Sequence, residues 1–224
     1  MDYTPNDSPL YRLFAQGRHY VVARGQVVSA FQDDTLLYLI KSGNIKRYRI
    51  TSDGEKNIQV LYGPGDILPL TPVYKAIFSM DMYSGPETYY YEAMTKLEYY
   101  VINHAKLLAA LETGPIMYKD LFYTAGLRLD SYIHRLESLS LKSANRKIAH
   151  QLIYMASAFG MPTADGPEIG LPLTHHDLGD MLGMARETVT RAIADLTERG
   201  MLVPGRSIVI ADLARLKVEA QWLE

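Results

Sequence analysis

The 224-residue sequence contains no cysteine. That excludes disulfides, thiol redox switching and cysteine-ligated iron–sulfur or zinc centres. No apolar run approaches the ~18 residues of a membrane span. The opening stretch MDYTPNDSPLYRLF lacks the basic and apolar regions of a signal peptide, so a cytoplasmic protein without membrane contact is expected. An excess of either charge is also missing: 23 Lys and Arg against 25 Asp and Glu leave −2. This excludes a uniformly basic nucleic-acid coat but leaves room for a locally basic reading surface. Histidine is absent from residues 20–102. Tryptophan occurs once and phenylalanine five times, whereas tyrosine occurs 17 times. Such half-polar rings belong in cores, interfaces or ligand pockets where the hydroxyl finds a partner. With 48% apolar and 21% charged residues, the chain has material for a buried core, and its length suits two domains.

From Gly17 to about Val101 the pattern alternates with period two. VVARGQVVSA, TLLYLIKSGNIKRYRI, KNIQVLYGPGDILPL and YYYEAMTKLEYYVIN read as short strands broken at Gly25, Gly43, Asp53-Gly54 and Gly63-Pro64-Gly65. Asp53-Gly54 predicts a tight hairpin. Many short strands of this kind predict a sandwich, barrel or roll. A catalytic, cupin-like metal site would need histidines on these strands, and they have none.

Near Asn103 the period changes. HAKLLAALETG reads as a helix ended by Gly114, and Pro115 suits the first position of a longer one. Along that helix Phe122, Leu129 and Leu136 occupy heptad position a, while Tyr118, Ala125, Tyr132 and Leu139 occupy d. Arg128 and Arg135 fall on the flank. Three apolar heptads predict a dimer seam, the alternative being a helix packed only on its own domain. Ser143 is placed to cap a further helix with the stripe Ile148, Ala149, Leu152, Ile153, Ala156 and Phe159, stopped by Gly160 and Pro162. MPTADGPEIGLPL then reads as a connector or small hairpin.

The informative stretch is LTHHDLGDMLGMARETVTRAIADLTERGMLVPGRSIVIA. Thr174 with Asp177 three residues on predicts a capped helix to Leu182, followed by a turn at Gly183. A second helix runs from Arg186 to Arg199 and closes at Gly200. Leu178, Leu182, Val189, Ile193 and Leu196 form a shared apolar face. Small residues at Gly179 and Gly183 allow the close crossing of a helix-turn-helix, and MLVPGRSIVIA adds a β wing. Arg186, Glu187, Thr188, Thr190 and Arg191 lie on the early turns of the second helix, the end such motifs place in the major groove. Arginine bonds bidentately to guanine and glutamate accepts from cytosine N4, so this face favours G·C pairs. A solvated face with a Glu187–Arg191 pair is compatible with the same residues. Thr174, His175 and His176 stand where the DNA backbone would pass. Residues 151–224 carry six Lys and Arg against ten Asp and Glu, an awkward balance for a DNA-binding half.

At these residues the chain resembles the Crp/Fnr family of bacterial transcription regulators. The likeness is carried by Gly25, LLYLIKSGNIK, Asp53-Gly54, Gly65-Asp66 and the whole of LTHHDLGDMLGMARETVTRAIADLTERGML. It implies an α+β protein: an antiparallel β-roll of cyclic-nucleotide-binding type over residues 1–113, a dimerisation helix over 114–141 and a winged helix-turn-helix over 142–224. It also implies a homodimer on double-stranded DNA, with RNA polymerase as a further partner. Arg186, Glu187 and Arg191 would read TGTGA-like half-sites of an inverted repeat.

The effector pocket departs from the family pattern. Where cyclic-nucleotide members carry Gly-Glu for the ribose and Arg-Ser for the phosphate, this chain has Pro69-Leu70 and, by an alignment crossing a loop, Glu87-Thr88. A carboxylate in place of a cation repels phosphate. A small-molecule effector other than a cyclic nucleotide, or activity without one, is therefore expected, with a cyclic-nucleotide-dependent regulator as the alternative. Leu70, Tyr89, Tyr91, Phe122, Leu129 and Tyr132 are the candidate lining, either of an aromatic pocket or of a filled core. No enzyme activity, cofactor or metal site is expected.

Overall fold

The computed structural model describes residues 8–28, 33, 35–78, 89–114 and 116–222. The chain divides into two compact units. Met1–Arg49 with Gln59–Leu129 form the first, and Ile50–Ile58 with Asp130–Glu224 form the second.

The first unit opens with α1 (Pro9–Ala15), capped by the Ser8 hydroxyl, which accepts from the Tyr11 N–H. The strands are β1 (Arg18–Val22), β2 (Leu36–Ser42), β3 (Ile45–Ile50), β4 (Lys56–Tyr62) and β5 (Ile67–Leu68), then β6 (Tyr90–Ala93) and β7 (Leu97–Asn103). One sheet has the order β1-β7-β2-β5 and the other β4-β3-β6, the antiparallel arrangement anticipated from the alternating pattern. Tyr38 of β2 faces Val101 of β7, with a register shift between Ile40 and Ser42. Strand β2 is buried at four successive positions, Leu37 to Ile40, so it reads as a continuous apolar run. The Asp53-Gly54 turn, part of the second unit, forms as expected, with Gly54 N–H donating to Thr51 O at 3.0 Å and Thr51 N–H to Glu55 O at 2.9 Å.

Helices α2 (Thr71–Phe78) and α3 (His104–Thr113) and the start of α4 (Ile116–Ser140) close this unit. Its core gathers Leu10, Phe14, Leu37, Leu39, Ile67, Val73, Ile102, Leu107, Leu111 and Leu121. Helices α1 and α2 were not anticipated. They are seven and eight residues long, too short for a helical period to declare itself against the surrounding strands. Pro115, Glu87 and Thr88 lie outside the described residues.

In the second unit Ser143 caps α5 (Ala144–Phe159), its hydroxyl accepting from the Arg146 N–H, and Gly160 ends it. Strands β8 (Gly160–Thr163) and β9 (Gly166–Ile169) then form the anticipated hairpin. Helices α6 (His175–Leu182), α7 (Arg186–Glu198) and α8 (Leu213–Ala220) follow. The wing after Gly200 is a pair of short bridges, Leu202 to Ile210 and Glu168 to Val209, so it continues the β8–β9 hairpin. Helix α5 packs against α7 and α8 and buries Ile148, Ala149, Leu152 and Ile153. Helix α8, also unanticipated, is capped by Asp212 and buries only Leu216 and Ala220. Among the described residues no helix is long and apolar enough to cross a membrane.

Candidate nucleic-acid interface

Helices α6 and α7 owe their geometry to local chemistry. Thr174 and Asp177 form a reciprocal capping box: the Thr174 hydroxyl accepts from the Asp177 N–H at 3.0 Å, and the Asp177 carboxylate accepts from the Thr174 N–H at 3.0 Å. Gly183 ends α6 at φ 64°, a left-handed conformation that costs other residues ~1–2 kcal/mol. Gly179 serves the close crossing. A Cβ there would stand 2.5 Å from the Met184 carbonyl oxygen, which the Met184-to-Gly179 backbone turn holds in place. The shared face forms as expected, with Leu178, Leu182, Val189 and Leu196 buried and Ile193 partly so.

On the opposite side of α7, Arg186, Glu187, Thr190 and Arg191 are exposed and Thr188 is half-buried. The side chains of Arg186 and Glu187 make no ion pair or hydrogen bond among the described residues. Arg191 reaches only the Thr188 hydroxyl, at 3.5 Å, so the compatible Glu187–Arg191 pair is not formed. These two cations and one carboxylate are uncommitted on the first turns of the helix.

The residues expected near the DNA backbone have structural partners of their own. The Thr174 hydroxyl belongs to the capping box. His175 Nδ1 lies 2.8 Å from Thr190 Oγ1, tying α6 to α7, and the Thr190 hydroxyl also donates to Arg186 O at 2.9 Å. His176 is exposed, with Asp180 at 3.8 Å.

The acidic surplus of this half also finds its place. Asp177 and Asp212 cap helices, while Asp195 and Glu219 both pair with Arg199, Asp195 at 3.1 Å. These carboxylates are engaged in helix caps and ion pairs within the fold. Arg199 is consequently engaged in an ion-pair network, which raises its pKa further through Glu219 and Asp195.

The heptad residues of α4 face outward. Phe122, Leu129 and Leu136 are 81%, 61% and 67% exposed, Tyr118 and Leu139 are exposed, and Ala125 and Tyr132 half-buried. The inner face is Asp120, Leu121 and Thr124. In the first unit Arg128 turns inward, donating to Leu61 O at 3.0 Å, pairing with Asp66 and lying 4.3 Å over the Tyr62 ring. In the second, Arg135 donates to Ile58 O.

The candidate effector-lining residues of the first unit differ in burial. Leu70 packs against the first core, and Tyr91 is buried with its ring 6.4 Å from that of Tyr62. Tyr89 lies under the Arg47 guanidinium at 4.5 Å. Phe122 and Leu129 point to solvent, because position 122 is about 100° round the helix from the inward Leu121.

The model of the Crp-like helix-turn-helix domain matches residues 146–218, and that of the cyclic nucleotide-binding domain matches residues 19–113. The chain belongs to the Crp/Fnr family. This Crp/Fnr protein is 26% identical over 186 residues to a CRP-like cAMP-activated global transcriptional regulator of Mycobacterium tuberculosis, covering 83% of this chain and 80% of that protein. It is 24% identical over 215 residues to the nitrogen fixation regulation protein FixK of Azorhizobium caulinodans, covering 93% and 82%. Among solved structures, a CooA mutant from Carboxydothermus hydrogenoformans shares the fold with a TM-score of 0.74 at 19% identity, covering 98% of this chain and 97% of that one. FixK2 from Bradyrhizobium japonicum shares it at 0.70 and 23%, covering 90% and 96%. The protein is thus a DNA-binding transcription regulator of Crp/Fnr type, and the matching domain models indicate no catalytic family.

Proposed function

We propose that this Crp/Fnr protein acts as a homodimer that reads a palindromic site with TGTGA-like half-sites through Arg186, Glu187 and Arg191. The observation that carries the reading is the uncommitted Arg-Glu…Arg face on the first turns of α7, set after a capped α6 and a left-handed Gly183. Arginine matches guanine O6 and N7, and Glu187 is placed to accept from cytosine N4. Thr188 and Thr190 complete the face. Thr174, His175 and His176 hold or flank it at the level of the phosphates.

The outward stripe of Tyr118, Phe122, Leu129, Leu136 and Leu139 supports pairing of two α4 helices. Large exposed apolar side chains at heptad spacing need a partner surface. Two α7 helices would then stand about 34 Å apart, one turn of DNA.

Control is by an effector other than a cyclic nucleotide, or the protein is active without one. Leu70, at the position that the family resemblance assigns to ribose binding, is partly buried against the core and offers no polar group. RNA polymerase is the further partner at a promoter. The test is selection of bound DNA from a random library using the purified protein with no ligand added. Enrichment of a TGTGA-like inverted repeat supports the reading. Selection by Arg186→Ala and Arg191→Ala variants equal to that of the parent rejects it, and recovery of no palindrome rejects activity without an effector.

A further inference from the structure

Outside the reading surface, the second unit gathers two histidines and a glutamate that the regulatory reading leaves without a task. His134 and Glu137 stand three residues apart on α4 and therefore on one face. The turn at residues 141–143 brings His150 of α5 against them. Glu137 Oε2 is 3.4 Å from His134 Nδ1 and 3.4 Å from His150 Nε2, and the three residues offer ligand atoms all within 4.8 Å of one another. A tetrahedral zinc ion with bonds of ~2.0–2.1 Å sets neighbouring ligand atoms ~3.4 Å apart. The two contacts of Glu137 already match that edge.

The remaining ring nitrogens are held as a metal site requires. His150 Nδ1 lies 2.8 Å from the buried Ser138 hydroxyl, and His134 Nε2 lies 3.5 Å from Asp130 Oδ1. Such outer partners fix the tautomer and aim the opposite nitrogen at the ion. His134 Nδ1 is buried with no hydrogen-bond partner among the described residues. A cavity of about 340 Å³ opens over His134, Glu137, His150 and Trp222, leaving space for a water as fourth ligand. Two imidazoles and a carboxylate without thiolate suit zinc, cobalt or nickel better than calcium or magnesium.

We propose that His134 Nδ1, Glu137 Oε2 and His150 Nε2 form a binding site for a divalent first-row transition ion of the zinc class at the α4–α5 corner. Histidine–glutamate spacing of i, i+3 on one helix is the only part of this site that the linear pattern displays. A bound ion ties the last turns of α4 to α5.

The single tryptophan makes the site directly observable. Trp222 stacks on His134 at 4.9 Å between ring centroids and lies 4.5 Å from His150. The experiment titrates chelator-stripped full-length protein with Zn²⁺ by calorimetry and with Co²⁺ by visible absorption and Trp222 emission. About one ion per chain is expected, with d–d bands for Co²⁺ and quenching of Trp222. Glu137→Gln, at an exposed position, and His134→Gln should each weaken Zn²⁺ binding at least about tenfold, and Ser138→Ala roughly 10- to 100-fold. A His175→Ala/His176→Ala variant should bind Zn²⁺ as the parent does. Absence of uptake by the parent, undiminished uptake in Glu137→Gln and His134→Gln, or Co²⁺ binding that leaves Trp222 emission unchanged would overturn the proposal. The assay contains no DNA, so its result stands apart from the operator reading.

Discussion

His175 Nδ1 and Thr190 Oγ1 meet at 2.8 Å, joining the first residue of α6 to the exposed face of α7. Because the Thr190 hydroxyl donates to Arg186 O, the histidine is the donor and its proton sits on Nδ1. This bond fixes the angle at which Arg186 and Arg191 are presented. His175→Ala is expected to cost about 0.5–1.5 kcal/mol in urea unfolding and to weaken every operator sequence alike. A change of base preference in that variant would instead make His175 a reader.

Arg186→Ala and Arg191→Ala are expected to behave differently from His175→Ala. Each should lose roughly 1–3 kcal/mol of operator affinity and relax selectivity at one base pair per half-site, while thermal stability is unchanged. Competition binding against single-substitution operators checks this.

The turn between α6 and α7 tolerates little. Gly179→Ala places its new methyl 2.5 Å from a fixed backbone carbonyl, so the helices must separate. Gly183→Ala meets open space and suffers only the left-handed backbone penalty of ~1–2 kcal/mol. The expected order of thermal stability is therefore parent, then Gly183→Ala, then Gly179→Ala, by differential scanning calorimetry.

Removal of the capping box is a separate, smaller change. Thr174→Ala should cost about 0.5–2 kcal/mol of unfolding free energy, and Thr174→Gly only a few tenths. No loss in either variant would show that the hydroxyl contributes nothing to the cap.

Charge in the α4 stripe tests dimerisation without touching the core. Phe122→Glu and Leu129→Glu alter positions 81% and 61% exposed, so the folded subunit should persist by circular dichroism. Sedimentation should shift from dimer to monomer, and operator binding should fall with it. A variant that remains dimeric would remove this stripe from the interface.

The helix-turn-helix was legible because its determinants are local. Thr174 and Asp177 are three residues apart, Gly179 and Gly183 four, and the apolar face follows one helical period. The strands of the first unit were legible for the same reason, from alternation and from Asp53-Gly54. Helices α1 and α8 were not, since each buries only two side chains and carries too little pattern. The flank positions of Arg128 and Arg135 likewise concealed their use. Both reach backbone carbonyls of β4, more than sixty residues away in sequence.

Order along the chain thus determined most of the strands, turns and longer helices, and placed two arginines and a glutamate at the start of a reading helix. Caps, left-handed turns and periodicity act within about ten residues and need no knowledge of the rest. Tertiary structure alone decided the contacts between distant segments: Leu10 N–H on the Asp120 carboxylate, Arg128 on Asp66, and His134, Glu137, His150 and Trp222 around one cavity. Those pairings depend on where packing of the cores sets each helix, and no local pattern in the chain encodes that distance.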